Sequence, residues 1–161
     1  MERLWAPWRI GYVQSHKRSG CIFCEKAKAN DDRRTLVVAR GRLSFALLNA
    51  YPYTNGHLMI APYEHVARLE DLSAEQCGDL MVLAQKCVAA LRRALFPDGF
   101  NVGLNLGRAA GAGIEDHLHL HVVPRWEGDT SFTAVFSDTK VIAQSLDDAY
   151  ATIVEALGTP E

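Results

Sequence analysis

His117-Leu118-His119-Leu120-His121-Val122-Val123 is the stretch that decides the fold. Side chains along a strand alternate between its two faces. The three imidazoles therefore point one way, and Leu118, Leu120 and Val122 point the other. The apolar row predicts a packed sheet face; the imidazole row predicts a site on the opposite face. One strand histidine ordinarily serves as a hydrogen-bonded polar residue. Three in a row have little structural purpose, because each imidazole is costly to bury without a partner. Two chemistries fit the pattern. Three histidines can hold zinc with an open fourth position, although same-face neighbours lie roughly 6–7 Å apart along a strand, which is awkward for one ion. Alternatively, one neutral imidazole attacks phosphorus while its neighbours hold phosphate oxygens.

Working back from this strand, Phe100, Val102, Leu104 and Leu106 alternate with Asn101, Gly103 and Asn105 and predict another strand. Gly107 to Gly113 joins the two as a small-residue loop. Ser73 to Phe96 is the clearest helix. Ser73 and Gln76 form a capping box, and Cys77, Leu80, Met81, Ala84, Val88, Leu91 and Leu95 recur at helical spacing. Pro97-Asp98-Gly99 ends it. Further back, His57–Ala61, Leu43–Leu48 and Thr35–Ala39 read as strands, with turn chemistry at Arg40-Gly41-Arg42 and from Tyr51 to Gly56. A short helix is expected over 21–29. Beyond the histidine strand, Leu146, Ala149, Tyr150, Ile153 and Leu157 predict a closing amphipathic helix over 146–158. Short connections between strands predict a mainly antiparallel sheet. The fold class is α+β, with the long helix packed on one sheet face.

The 161 residues make one domain, residues 1–161, with an irregular N-terminal arm over 1–20. Hydrophobic residues make up 48% and charged residues 22%, as in ordinary globular proteins. Seventeen Lys+Arg face nineteen Asp+Glu, a net charge of −2. No basic excess exists to hold a duplex by its phosphates, so no nucleic-acid partner is expected. No apolar run approaches the roughly 18 residues of a membrane span, and the first residues have no apolar signal region. The expected compartment is the cytoplasm. There, Cys21, Cys24, Cys77 and Cys87 are thiols or metal ligands. Cys77 and Cys87 fall inside the helical pattern and read as inert thiols. Cys21-Ile22-Phe23-Cys24 is half of a tetrahedral metal site; a redox pair would need a strand–CxxC–helix setting that is missing.

The histidine strand followed by Pro124-Arg125 resembles the signature of the histidine triad (HIT) superfamily of nucleotidyl hydrolases and transferases. Leu48-Asn49-Ala50-Tyr51-Pro52-Tyr53-Thr54-Asn55-Gly56-His57-Leu58-Met59-Ile60-Ala61-Pro62 resembles that family's strand–turn–strand around a nucleotide pocket. Leu4-Trp5-Ala6-Pro7-Trp8-Arg9 and Gly20-Cys21-Ile22-Phe23-Cys24 resemble its bacterial branch of diadenosine tetraphosphate phosphorylases. The resemblance implies a HIT-like domain and an adenine nucleotide or dinucleoside polyphosphate as substrate. It implies His119 as nucleophile on the α-phosphorus, through a nucleotidyl-histidine intermediate. His121 would donate to a phosphate oxygen, and His57 would buttress the site. Asn49 would lie by the ribose, Asn105 near the phosphates, and the loop glycines Gly111 and Gly113 against the phosphate chain. Cys21, Cys24, His65 and His117 would hold a structural zinc ion, and the protein would be a homodimer. One departure stands out. Hydrolase branches carry Gln then Ser or Thr before the triad, where this chain has Gly113 and Ile114. The missing hydroxyl argues against a phosphoramidase and fits a leaving group that needs little help, such as ATP. Phosphate or water remains open as acceptor. A nucleotide-binding signalling module with vestigial catalysis and a three-histidine zinc hydrolase are the alternatives.

Overall fold

The computed structural model describes residues 20–129 and 141–158. All but the last residue of the expected N-terminal arm lies outside them. Five strands form one sheet: β1 (Val37–Arg40), β2 (Ser44–Leu48), β3 (Leu58–Pro62), β4 (Gly99–Leu104) and β5 (Leu120–Arg125). Their spatial order is β1-β2-β3-β5-β4, and every neighbouring pair is antiparallel. The helices are α1 (Ile22–Lys28), α2 (Asp32–Thr35), the 22-residue α3 (Ala74–Leu95) and α4 (Leu146–Gly158). The class is α+β, as the strand and helix patterns predict.

Helix α3 has the capping box expected from sequence. The Ser73 hydroxyl accepts the Gln76 N–H at 3.1 Å, and Gln76 Oε1 accepts the Ser73 N–H at 2.8 Å. Two of the otherwise unpaired donors at the helix start are thereby satisfied. The helix ends at Phe96, which takes a left-handed conformation (φ 49°). Its apolar stripe of Leu80, Leu83, Ala84, Cys87 and Leu91 packs on the back of the sheet against Ala46, Leu48, Leu58, Ile60, Leu120 and Val122. Helix α4 closes this core with Ala149, Tyr150 and Ile153. Gly56, in the turn before β3, has φ +73°, and a Cβ there would collide with Leu95. Glycine lets the turn meet the helix closely.

Among the strand boundaries that shift, two have a clear cause, one local and one tertiary. Thr35 belongs to α2, not to a strand. Asp31 caps that helix by accepting the Arg34 N–H at 3.1 Å, and the Thr35 hydroxyl donates to the Asp31 carbonyl at 2.9 Å. Leu36 turns left-handed (φ 63°), and β1 starts at Val37. The second shift concerns the histidine segment. Strand β5 starts at Leu120, so His117 and His119 precede the ladder. The last β3–β5 register pair is Ile60 with Leu120. Strand β3 ends at Pro62, whose nitrogen has no hydrogen to donate. Instead, Leu118 N–H donates to the Val66 carbonyl at 2.7 Å. The alternation survives: His117, His119 and His121 are all buried, at 0%, 7% and 8% exposure.

Candidate active site and metal cluster

On the front of the sheet, Val37, Phe45, Leu47, Met59 and Ala61 pack with Phe23 from α1. Beside this small apolar cluster lie His57, His119 and His121. Met59 is the register partner of His121, and Gly103 faces it from β4. His57 is wholly buried at the end of the Tyr53–Gly56 turn. Thr54 anchors that turn by donating its hydroxyl to the Pro124 carbonyl at 2.7 Å.

Backbone groups of unambiguous role fix the polarity of the imidazoles. The Tyr53 N–H donates to His57 Nδ1 at 3.0 Å. A neutral ring with an accepting Nδ1 carries its proton on Nε2. His57 Nε2 therefore donates to His121 Nδ1, 2.9 Å away. By the same logic, the His121 proton sits on Nε2 and is available to an acceptor in the site. His119 is set from the other side. Its Nδ1 lies 2.9 Å from the His117 carbonyl, which can only accept. The Nδ1 atom holds the proton, and the lone pair of Nε2 is left available for attack.

Burial favours the neutral form of His119 and His121. Desolvation, with a smaller contribution from His119, pushes His121 down to about 4. Desolvation likewise lowers His119 below the ordinary imidazole range, partly offset by its bond to the His117 carbonyl. Loss of hydration disfavours the charged form of a histidine.

His117 faces a different partner set. Its Nε2 donates to the Pro62 carbonyl at 2.9 Å. Its Nδ1 lone pair consequently faces Cys21 Sγ at 3.2 Å and Cys24 Sγ at 3.6 Å. His65 Nδ1 lies 3.4 Å from Cys24 Sγ. The donor atoms of Cys21, Cys24, His65 and His117 all lie within 4.8 Å of one another. Zinc bond lengths give a tetrahedral S···N edge of roughly 3.5 Å, which these separations match. The four residues singled out as a metal set are thus one cluster.

The other anticipated residues take distinct places. Asn49 Oδ1 accepts the Tyr51 N–H at 2.9 Å, and its Nδ2 lies 3.3 Å from His57 Nδ1. Asn105 lines a groove of about 330 Å³ that runs from His121 past Gly103 and Asn101 to Arg125. Gly111 (φ 88°) closes a short turn over Arg108–Ala110, and a Cβ on it would stand 3.9 Å from the Asn105 amide nitrogen. Open space surrounds the Cβ position of Gly113. Ile114 packs against the front apolar cluster. Arg125, at the far end of the groove, is held by Asp129 (2.8 Å) and Asn101 (2.7 Å). Sequence reading missed Tyr53, whose ring lies 4.4 Å from that of His57 between centroids and 5.7 Å from that of His121. It also missed Phe23. Both sit beside residues that had been singled out, but neither is a histidine or a cysteine.

A HIT domain family model matches residues 30–128. The chain belongs to the HIT family. It is 43% identical over 157 residues to AP-4-A phosphorylase of Mycobacterium tuberculosis, an alignment covering 92% of this chain and 80% of that relative. It is 36% identical over 105 residues to adenosine 5'-monophosphoramidase hnt1 of Schizosaccharomyces pombe, covering 65% of this chain and 74% of the relative. Among solved structures, a zinc-bound histidine triad family protein from Mycobacterium smegmatis superposes with a TM-score of 0.70 at 26% identity, covering 86% of this chain and 93% of that one. No helix of this HIT protein's described residues is long and apolar enough to cross a membrane.

Proposed function

We propose that this HIT protein is a nucleotidyltransferase that cleaves dinucleoside polyphosphates by phosphorolysis, with His119 as nucleophile. The observation that carries the reading is the pinned tautomer of His119, with Nδ1–H on the His117 carbonyl at 2.9 Å. A nitrogen nucleophile needs a free lone pair at neutral pH, and burial of the ring favours that form. Similarity to AP-4-A phosphorylase over nearly the whole chain supports diadenosine tetraphosphate as the substrate.

His119 Nε2 forms a bond to the α-phosphorus as the bond from phosphorus to the bridging oxygen breaks. ATP departs, and an adenylyl group stays on the imidazole. His121 donates its Nε2 proton to a non-bridging oxygen and stabilises the charge that builds there. His57 passes no proton; it holds His121 in the donating tautomer. An oxygen of inorganic phosphate then attacks the same phosphorus, the P–N bond breaks, and ADP leaves. Water in that position would give AMP. Asn49 is assigned to the ribose; Asn105, Gly111 and Gly113 are assigned to the phosphate chain. Ile114 offers no hydroxyl to a leaving oxygen, which favours a good leaving group such as ATP over an amine.

Cys21, Cys24, His65 and His117 are assigned to a structural zinc ion. Two thiolates and two imidazoles neutralise and fill the shell of such an ion, which would tie the CxxC loop to the segment before β5. This allocation favours one histidine of the triad as ligand over all three. A cytoplasmic homodimer of single-domain chains is part of the proposal. The exposed edge strand β4, with Val102 45% exposed, supports pairing through that edge and α3.

The deciding assay supplies diadenosine tetraphosphate with and without phosphate. ADP plus ATP formed only with phosphate is the expected outcome; AMP plus ATP without it would assign a hydrolase. Tight nucleotide binding with negligible turnover would favour the signalling module. Metal analysis should give one zinc per chain, lost in the Cys21→Ser/Cys24→Ser protein.

A further inference from the structure

The two cysteines of the candidate metal cluster enclose two residues without any ligating atom, Ile22 and Phe23. Cys21 precedes α1 and Cys24 lies in its first turn. Between them Phe23 turns inward and is wholly buried. Its ring centroid lies 5.1 Å from that of His117 and 4.9 Å from that of His119, tilted by 43° and 34°. On its other sides it packs with Val37, Phe45, Leu47, Met59 and Ala61.

His119 thus has three contacts that define its ring. The His117 carbonyl holds Nδ1. The His121 ring meets it edge-on, with centroids 4.8 Å apart and planes at 68°. The Phe23 ring supplies the third. A single hydrogen bond leaves an imidazole free to tilt; a rigid apolar ring against it removes that freedom. It also keeps water from the space beside the reacting imidazole. Phe23 is held in turn by its two cysteine neighbours, whose thiols face His117.

We propose that Phe23 is a positioning residue for His119, so that the CxxC turn at the start of α1 sets the aim of the nucleophile as well as the stability of the chain. The proposal rests on the nucleophile reading above. A reacting atom misplaced by about 1 Å can cost on the order of a hundredfold in rate. Removing the ring should therefore act on the chemical step and leave substrate affinity alone.

The test compares Phe23→Leu with Ile153→Ala, which opens the core on the opposite sheet face. Both proteins are purified with metal bound, and zinc content and the cobalt-substituted spectrum are recorded. Phe23→Leu should keep one metal per chain and an unchanged cobalt spectrum. Its kcat and its rate of adenylyl-histidine formation should fall tenfold or more, with KM within twofold. Ile153→Ala should lose comparable thermal stability with kcat within twofold. Adduct formation by Phe23→Leu within twofold of the parent rate would overturn the proposal, as would an equal kcat loss in both variants. If Phe23→Leu sheds its metal, Phe23→Met is judged by the same criteria. In the unsubstituted protein, a nuclear Overhauser contact between the Phe23 and His119 rings is expected, and its absence would also overturn the proposal. Failure to trap any adduct on His119 of the parent protein would reject the nucleophile reading instead, so the two failures are distinguishable.

Discussion

The back and front of the same sheet solve opposite problems. On the back, Ala46, Leu48, Leu58, Ile60, Leu120 and Val122 meet two helices in an aliphatic core that also takes in Cys87 and Tyr150. Burial pushes the Cys87 thiol up to about 12, so it stays protonated and behaves as a small apolar group. The front has only a small apolar cluster, and His57, His117, His119 and His121 are buried next to it. Each of these four rings has a hydrogen-bond partner with a definite direction. The back is held by area removed from water, which is indifferent to direction. The front is held by directed bonds that leave selected lone pairs and protons available. Adjacent residues of one strand, Leu120 and His121, serve the two purposes.

That contrast can be broken by substitution on either side. The largest effect belongs to the front. His119→Ala should reduce kcat by at least about a thousandfold, while melting shifts by only a few degrees; near-normal turnover in a steady-state assay would end the nucleophile assignment. On the back, Leu91→Ala should cost about 2–5 kcal/mol in denaturant unfolding. Turnover per folded molecule should be unchanged, so a parallel loss of kcat would show that the two faces are coupled. A subtler front-face change is His57→Gln, which disrupts the chain from the Tyr53 N–H through His57 to His121. A fall in kcat on the order of tenfold, with KM nearly constant, is expected; an effect confined to KM would mean that His57 serves binding.

The contrast also shows in pH dependence. His121 is lowered in the folded chain to about 4, against roughly 6.5 when unfolded. Between those values the unfolded chain binds more protons, so its contribution makes stability rise with pH over that window and level off above it. Denaturant midpoints measured from pH 4 to 7 should show this rise, and His121→Gln should flatten it.

Much of this was legible in linear order. Period-two alternation around His119 announced a sheet with one apolar and one chemical face. Ser73, Gln76 and the spacing of Leu80, Ala84 and Leu91 announced the long helix, because caps and helical periodicity are local properties. The strand boundary at Leu120 was not legible: it depends on Pro62, distant in the chain, ending its ladder partner. Thr35 was misplaced because the Asp31 cap outweighs the preference of a β-branched residue for a strand. At the site, the Cys and His side chains left zinc binding and nucleophilic catalysis both open from their chemistry; the family resemblance alone implied which histidine takes which role.

By itself, the chain's order of residues determined the helix–strand pattern, the paired histidine faces and the supply of thiols and imidazoles. Tertiary structure alone decided which nitrogen of each ring is free. That choice depends on which carbonyl or N–H lies opposite: Pro62 for His117, Tyr53 for His57, and the His117 carbonyl for His119. A ring nitrogen has no preferred role until a fixed dipole is placed against it, and only folding places the dipole.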